Sequence, residues 1–284
     1  MTARRSPLLA ALLVAPALAL FALCFLAPVL WLARMSLNES LPDGVVRPGL
    51  TAANYIEFLT DDFYLAIARE SFVTALTVTA LVLVLTYPIA LFLHRWTSRW
   101  KPLLVILTVS PLLVSAVVRT FGWMVILGDA GWLNGALRMA GLITAPLALV
   151  NNRTGVIIGL VEVLMPYMAL ALLAGFGRLD PTLEEAASSL GAPPWRRFWR
   201  VTLPLSLPGI GLGCLLVFVL AISAFVTPKL LGGGRVFLFA TEIFTAAMQT
   251  LNWPLAAAMS VAMLALFAAL LGLYGRISRR WAEP

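Results

Sequence analysis

The chain has 284 residues, of which 61% are hydrophobic and 12% charged, and it carries a net charge of +7. Soluble domains carry about 25% charged residues, so this composition excludes an ordinary water-soluble domain. The basic residues lie between apolar blocks and form no patch with interleaved aromatics, which excludes nucleic acid as the partner of the positive charge.

The apolar residues come in blocks of about 20, enough to cross a hydrocarbon core of about 30 Å at about 1.5 Å per residue. In lipid the backbone must satisfy its own hydrogen bonds, which leaves helices or closed barrels, and the blocks lack the alternation of barrel strands. The expected fold class is all-α, a polytopic transmembrane helical bundle. Six spans are expected, at residues 8–33, 71–93, 102–127, 154–177, 206–227 and 254–275. They form a single domain over 1–284 with a core at about 66–275 and one long loop at 178–205.

Arg4 and Arg5 precede the first block as in a signal peptide. The apolar run then continues for about 25 residues, beyond the 7–15 of a signal core, so it reads as a retained span. Cys24 and Cys214 fall in spans one and five near opposite membrane faces and read as buried structural thiols, not a disulfide or a metal pair. Residues 54–69 mix aromatics with acids, as one helix lying at the outer interface would. Pro16, Pro28, Pro88, Pro111 and Pro166 interrupt the spans, as is common where neighbours or water satisfy freed carbonyls. His94, the sole histidine, sits beside Arg95 at the end of span two and is expected to snorkel. Glu162 is the clear carboxylate inside a span. A charge there costs about 2.5–3.5 kcal/mol on insertion scales, so it either lines a pathway that attracts a cationic solute or pairs with Arg119 of span three.

Orientation comes from the basic residues. With both termini inside, the inner segments are 1–7, 94–101, 178–205 and 276–284, and they hold 12 of the 20 Lys and Arg. Glu39, Asp43, Glu57, Asp61, Asp62, Glu70, Asp129 and Glu242 then fall outside. Both termini are expected in the cytoplasm.

The inner loop 178–205 carries the most specific pattern. Asp180 before Pro181 is a helix-start signal, and Glu184 and Glu185 suit the positive end of the helix dipole. Leu183, Ala186, Ala187 and Leu190 share one side at helical spacing, and Gly191 can stop the helix at φ > 0. A second short helix is expected from Pro194, bearing Trp195, Phe198 and Trp199 between Arg196, Arg197 and Arg200, and ended by Pro204 and Pro208. Trp and Arg there suit a headgroup anchor. The small-residue stripe suits a groove on another protein.

The spacing Glu185-Ala186-Ala187, three residues, Gly191, nine residues, Val201-Thr202-Leu203-Pro204 resembles the cytoplasmic signature of permeases of binding-protein-dependent ATP-binding-cassette importers. Val201 stands where that family usually has isoleucine. Arg119-Thr120-Phe121-Gly122-Trp123, Phe225 through Gly234 and Asn252-Trp253-Pro254 resemble the spermidine/putrescine-type subfamily, whose pattern is shared by relatives for other organic cations, amino-acid-like solutes, phosphonates and iron. The resemblance implies a type I importer permease fold in a bacterial inner membrane. It also implies a coupling helix that docks on a cytoplasmic ATPase dimer through Glu184, Glu185, Ala186, Ala187 and Gly191, with Leu203 and Pro204 fixing its exit. The implied partners are that ATPase, a second homologous permease subunit or a second copy, an extracytoplasmic solute-binding protein, and the lipid bilayer. No G-x-x-x-x-G-K-[ST] loop occurs, and Gly232-Gly233-Gly234-Arg235 reads as a turn. ATP and magnesium therefore belong to the partner, and this chain is expected to bind no cofactor and to be no enzyme. A stand-alone secondary transporter or channel is the rival class; an intramembrane enzyme is excluded by the lack of H-E-x-x-H or a Ser/His constellation.

Overall fold

The computed structural model describes residues 7–40 and 45–282. The expectations for Arg4, Arg5 and Asp43 lie outside the described residues. In chain order the helices are α1 (Pro7–Phe21), α2 (Ala27–Met35), α3 (Ala53–Thr60), α4 (Asp62–Arg95), α5 (Lys101–Val109), α6 (Ala116–Leu127) and α7 (Trp132–Met139). They continue with α8 (Arg153–Gly175), α9 (Pro181–Ser189), α10 (Pro194–Arg197), α11 (Leu203–Ile222), α12 (Val226–Leu231), α13 (Phe239–Met248) and α14 (Trp253–Ala282). A two-residue antiparallel ladder, β1 (Glu39–Ser40) with β2 (Val46–Arg47), is the one sheet among the described residues. Among the described residues, five helical stretches are long and apolar enough to cross a membrane, and a sixth is so if the bent pair Lys101–Leu113 and Ala116–Met139 counts as one span.

Proline explains two irregularities. A π-turn at Ala22–Leu26 joins α1 to α2, and a second at Phe198–Thr202 joins α10 to α11. Each is followed by one residue and then a proline, Pro28 or Pro204. In a regular helix that ring would press on the carbonyl four residues back. The wider turn, in which Ala27 N–H donates to the Ala22 carbonyl and Leu203 N–H to the Phe198 carbonyl, takes up the misfit. The helix expected to end at Pro204 and Pro208 therefore runs on through both, from Pro194 to Ile222.

Four further expectations are corrected. Span three is not one straight helix over 102–127: after a 3-10 turn at Ser110–Leu113, Val114 and Ser115 are extended and the chain bends by 95°. Span five ends at Ile222, not 227, where the Ser223 hydroxyl donates to the Val219 carbonyl at 2.7 Å in competition with the backbone ladder. The segment 54–69 is two helices, because Asp61 is extended (ψ 125°) and its carboxylate accepts from Phe63 N–H at 2.8 Å to start α4. Cys24, expected to be buried, is exposed, and Cys214 is half-buried; both are free thiols.

Two compact units divide the chain. The first comprises residues 1–65 and 242–265, the second 66–241 and 266–284. In the first, buried Asn54 donates to the Ser36 and Asn38 carbonyls, both at 2.8 Å, and the Ser36 hydroxyl meets the Tyr55 hydroxyl at 2.7 Å. In the second, α8 packs on α11 through small residues, the usual way for membrane helices to approach closely. A Cβ at Gly209 would lie 2.9 Å from the Gly175 Cα, and one at Gly213 would lie 2.6 Å from the Met168 sulfur. Val78, Val82, Leu160, Met168, Leu172 and Val217 form the buried core of this unit.

The Gly175–Gly209 contact is backbone on backbone and cannot yield, whereas the Met168 thioether can. Thermal unfolding in detergent should show Gly175→Val less stable by about 1–3 kcal/mol, Gly213→Ala nearly unchanged, and Gly272→Ala, which adds a methyl in open space, unchanged.

Candidate functional site

The loop 178–205 folds as its residues dictate. Asp180 is extended and its carboxylate accepts from Thr182 N–H at 2.9 Å, which caps α9 with Pro181 at its first turn. That bond and the Thr182 hydroxyl hold the Asp180 carboxyl below its ordinary pKa. At the other end Gly191 has φ +78°. Its N–H donates to the Ser188 carbonyl at 2.9 Å and Ala192 N–H to the Ala187 carbonyl at 3.1 Å, the paired bonds of a Schellman stop. The angle at which α9 leaves the chain is thus fixed at both ends.

Within α9 most side chains are exposed. Glu185 and Ala186 are exposed, and so are Leu183 and Leu190, the latter at 88%. Glu184 is half-buried, and so is Ala187, at the edge of the Leu183–Ala186–Leu190 side. Glu184 is held inward: its Oε1 accepts from Arg95 Nη2 at 2.6 Å and from the Thr202 hydroxyl at 2.6 Å, while Arg95 Nη2 also lies 3.3 Å from that hydroxyl. Burial pushes the Glu184 carboxyl up, but the Thr202 and Arg95 hydrogen bonds together outweigh it and leave its pKa below 4.5. A cavity of ≈ 320 Å³ adjoins this triangle, lined in part by His94, Thr97, Leu179, Asp180 and Val201. The His94 ring meets Phe176 edge-on at 5.5 Å. Leu203 and Pro204 open α11 directly after the π-turn.

Glu162 on α8 meets Arg119 on α6, the limb beyond the bend. Arg119 Nη1 donates to Glu162 Oε1 at 3.2 Å, and Trp123 Nε1 donates to Oε2 at 3.3 Å. The side chains are 12% and 27% exposed, so the carboxylate lies on the more open side. One turn along, the Thr120 hydroxyl lies 3.2 Å from that of Thr227 on α12, and Gly159 of α8 leaves room for Leu231. The segments 119–123 and 225–234 therefore converge on α8. The glycine run after α12 is a turn as expected, with Gly233 and Gly234 at positive φ.

Sequence reasoning did not single out Arg95 and Thr202 as partners of Glu184. Arg95 read only as a flanking charge and Thr202 occupies an unspecified position of the signature. Trp123 appeared there only as part of a pattern, with no partner named.

Comparisons with known proteins bear on the family and the fold. Residues 6–283 match the family model of the binding-protein-dependent transport system inner membrane component. The chain is 36% identical over 230 residues to the spermidine/putrescine transport system permease protein PotB of Haemophilus influenzae, covering 81% of this chain and 80% of that one. It is 35% identical to PotB of Escherichia coli K12, covering 82% and 85%, and 30% identical to the inner membrane ABC transporter permease protein YdcU of the same organism, covering 92% and 90%. Among solved structures, a chain of a bacterial ABC transporter for import of the acidic polysaccharide alginate superposes with a TM-score of 0.71 at 18% identity, covering 97% of this chain and 96% of that one. A chain of the alginate transporter in complex with its pentasaccharide-bound periplasmic protein superposes at 0.75 and 17%, covering 97% and 95%. At those identities the likeness concerns the fold alone. The chain belongs to the family of binding-protein-dependent transport system inner membrane components, and within it resembles the spermidine/putrescine-type permeases.

Proposed function

We propose that this chain is the membrane-spanning permease subunit of an ATP-driven, binding-protein-dependent importer of a bacterial inner membrane, crossing it six times with both termini cytoplasmic. The observation that carries the reading is α9, capped at Asp180, stopped at Gly191 and exposing Leu183, Glu185, Ala186 and Leu190. Small side chains on a rigid, exposed helix suit insertion into a groove of a partner, and the signature spacing supports an ATPase dimer as that partner. Glu185, Ala186, Ala187 and Gly191 form the docking element, with Leu203 and Pro204 at its root. Glu184 belongs to the same helix but holds it to the rest of the chain. ATP and magnesium bind to the partner, whose closure on ATP moves α9 and reorients a pair of permeases. The second permease is a homologous subunit or another copy, and a solute-binding protein delivers the cargo on the far side. The names of the PotB relatives support a polyamine or related organic cation as solute.

The Glu162–Arg119 pair we assign as a structural tie between the bent span and α8, because each charge is spent on the other.

Tagging the chain in its own host and purifying it in mild detergent should recover an ATPase and a second permease. Ala186→Trp changes only an exposed position and should lose the ATPase by about 2 kcal/mol or more of affinity while keeping the permease. Repeated recovery of the chain alone would support the stand-alone carrier instead.

The Glu184 tie has a defined pH window. Its pKa is depressed in the folded state, so the stability it adds is present above 4.5 and is lost as pH falls through its lower folded value. Amide exchange across 181–189, corrected for intrinsic rate, should stay flat from neutral pH down to the ordinary glutamate value, rise as pH falls from there to the lower folded value, and level off below it. Glu184→Gln should abolish that step.

Removing one partner of a half-buried ion pair strands the other. Glu162→Gln should therefore unfold in detergent more easily, by up to about 3–5 kcal/mol. Arg119→Gln combined with Glu162→Gln should recover most of that loss and keep spermidine uptake near the unmodified level. A folded double variant with uptake abolished would return Glu162 to the solute pathway.

A further inference from the structure

We infer that Arg95, Glu184 and Thr202 form a three-point clamp that delivers the motion of α9 to α4 as well as to α11, and that Arg95 and Thr202 are positioning residues for transport. The inference rests on the proposed role of α9 as the ATPase-docking helix.

The covalent route from α9 to α11 passes through two changes of backbone geometry. One is the Gly191 stop, and the other is the π-turn Phe198–Thr202, where the ladder changes register. The clamp bypasses both. Glu184, in the first turn of α9, reaches Thr202, the last residue of the π-turn, and Arg95, the last residue of α4. Both donors converge on a single carboxylate oxygen at 2.6 Å, and the Thr202 side chain is fully buried with its hydroxyl held between Arg95 and Glu184. Charge-assisted bonds this short are among the strong ones.

A second tie lies deeper along the same two helices. The Tyr87 hydroxyl of α4 meets the Ser206 hydroxyl of α11 at 3.0 Å, and the Tyr87 ring is gripped edge-on by Phe176 and Phe198 at 5.7 and 5.9 Å. The inner end of α4 is thereby tied to α11 at Ser206, to the π-turn at Thr202 and to α9 at Glu184. At its other end α4 carries Glu70, which pairs with Arg153 at the start of α8 at 2.9 Å, and Ser71, whose hydroxyl accepts from Phe239 N–H at 2.7 Å. A displacement entering at Arg95 thus has a continuous helix to travel along and polar contacts at the far end to act on.

The test uses the complete complex, purified through the tag and reconstituted in vesicles with its binding protein, and follows radiolabelled spermidine uptake together with ATP hydrolysis. Arg95→Gln and Thr202→Val should hydrolyse ATP at nearly the unmodified rate, while uptake per ATP falls about tenfold, within the usual range of coupling between sites. Arg95→Glu alone should fail to transport, and Arg95→Glu with Glu184→Arg should regain most of the uptake, because the pair is restored with its charges exchanged. Unchanged uptake per ATP in Arg95→Gln overturns the clamp and leaves the proposed function standing. Equal loss of uptake and hydrolysis, with no recovery in the reversed pair, also overturns it by marking the tie as structural. No ATP-driven uptake by the unmodified complex, of spermidine or of any solute eluted from the binding protein, overturns the proposed function and the clamp with it.

Discussion

A peptide group in hydrocarbon has no water to bond, and everything else in this chain is arranged around that constraint. The long helices Asp62–Arg95, Arg153–Gly175 and Trp253–Ala282 satisfy it along most of their length, with Pro88 and Pro166 each removing one ladder bond. Other interruptions are taken up locally. Prolines 28 and 204 are absorbed by widened turns that keep the helix continuous. The extended pair Val114–Ser115 is followed at once by a new helix whose first bond is accepted by the Ser115 carbonyl.

With lipid outside, helices gain little from burying apolar side chains against each other, so close approach and polar ties give the bundle its specificity. The α8–α11 crossing uses the first means, at Gly175, Gly209 and Gly213. The second appears as Arg95–Glu184, Arg119–Glu162 and Arg153–Glu70, each joining segments distant in sequence. These pairs sit at the two ends of α4 and at the bend of span three, where helices must hold a set angle. In a medium that penalises an unpaired charge, a pair marks a fixed distance between two elements more firmly than an apolar contact does.

How much of this was legible in the sequence depends on whether the signal was local. The spans expected at 154–177 and 254–275 match α8 and α14 within a few residues, apart from the longer C-terminal run of α14, because a continuous apolar block is its own evidence. The start and stop of α9 were legible because a cap needs only Asp180, Pro181 and Gly191 at set offsets. The bend near residue 114 was not, since Val114 and Ser115 carry no turn chemistry and the nearby Pro111 interrupts many spans that stay straight. The partners of Glu184 lay 89 and 18 positions away, and no periodicity connects a residue with a partner on another helix. Glu162 and Arg119 were paired only as one of two readings, and the geometry brings them together.

The π-turn before Pro204 also sets a phase. Residues 195, 199, 202, 206, 209 and 213 are spaced by alternating fours and threes, so in an uninterrupted α-helix they would share one seam. Thr202, Ser206, Gly209 and Gly213 do occupy a buried seam, but Trp195 and Trp199 are 64% and 61% exposed. One extra residue in a turn rotates the helix on its N-terminal side by about 100° against the helix on its C-terminal side. A single rod thus presents small residues to its neighbour helix over one stretch and two indoles outward over the other, and deleting one residue from Phe198–Thr202 would swing both indoles into the glycine seam.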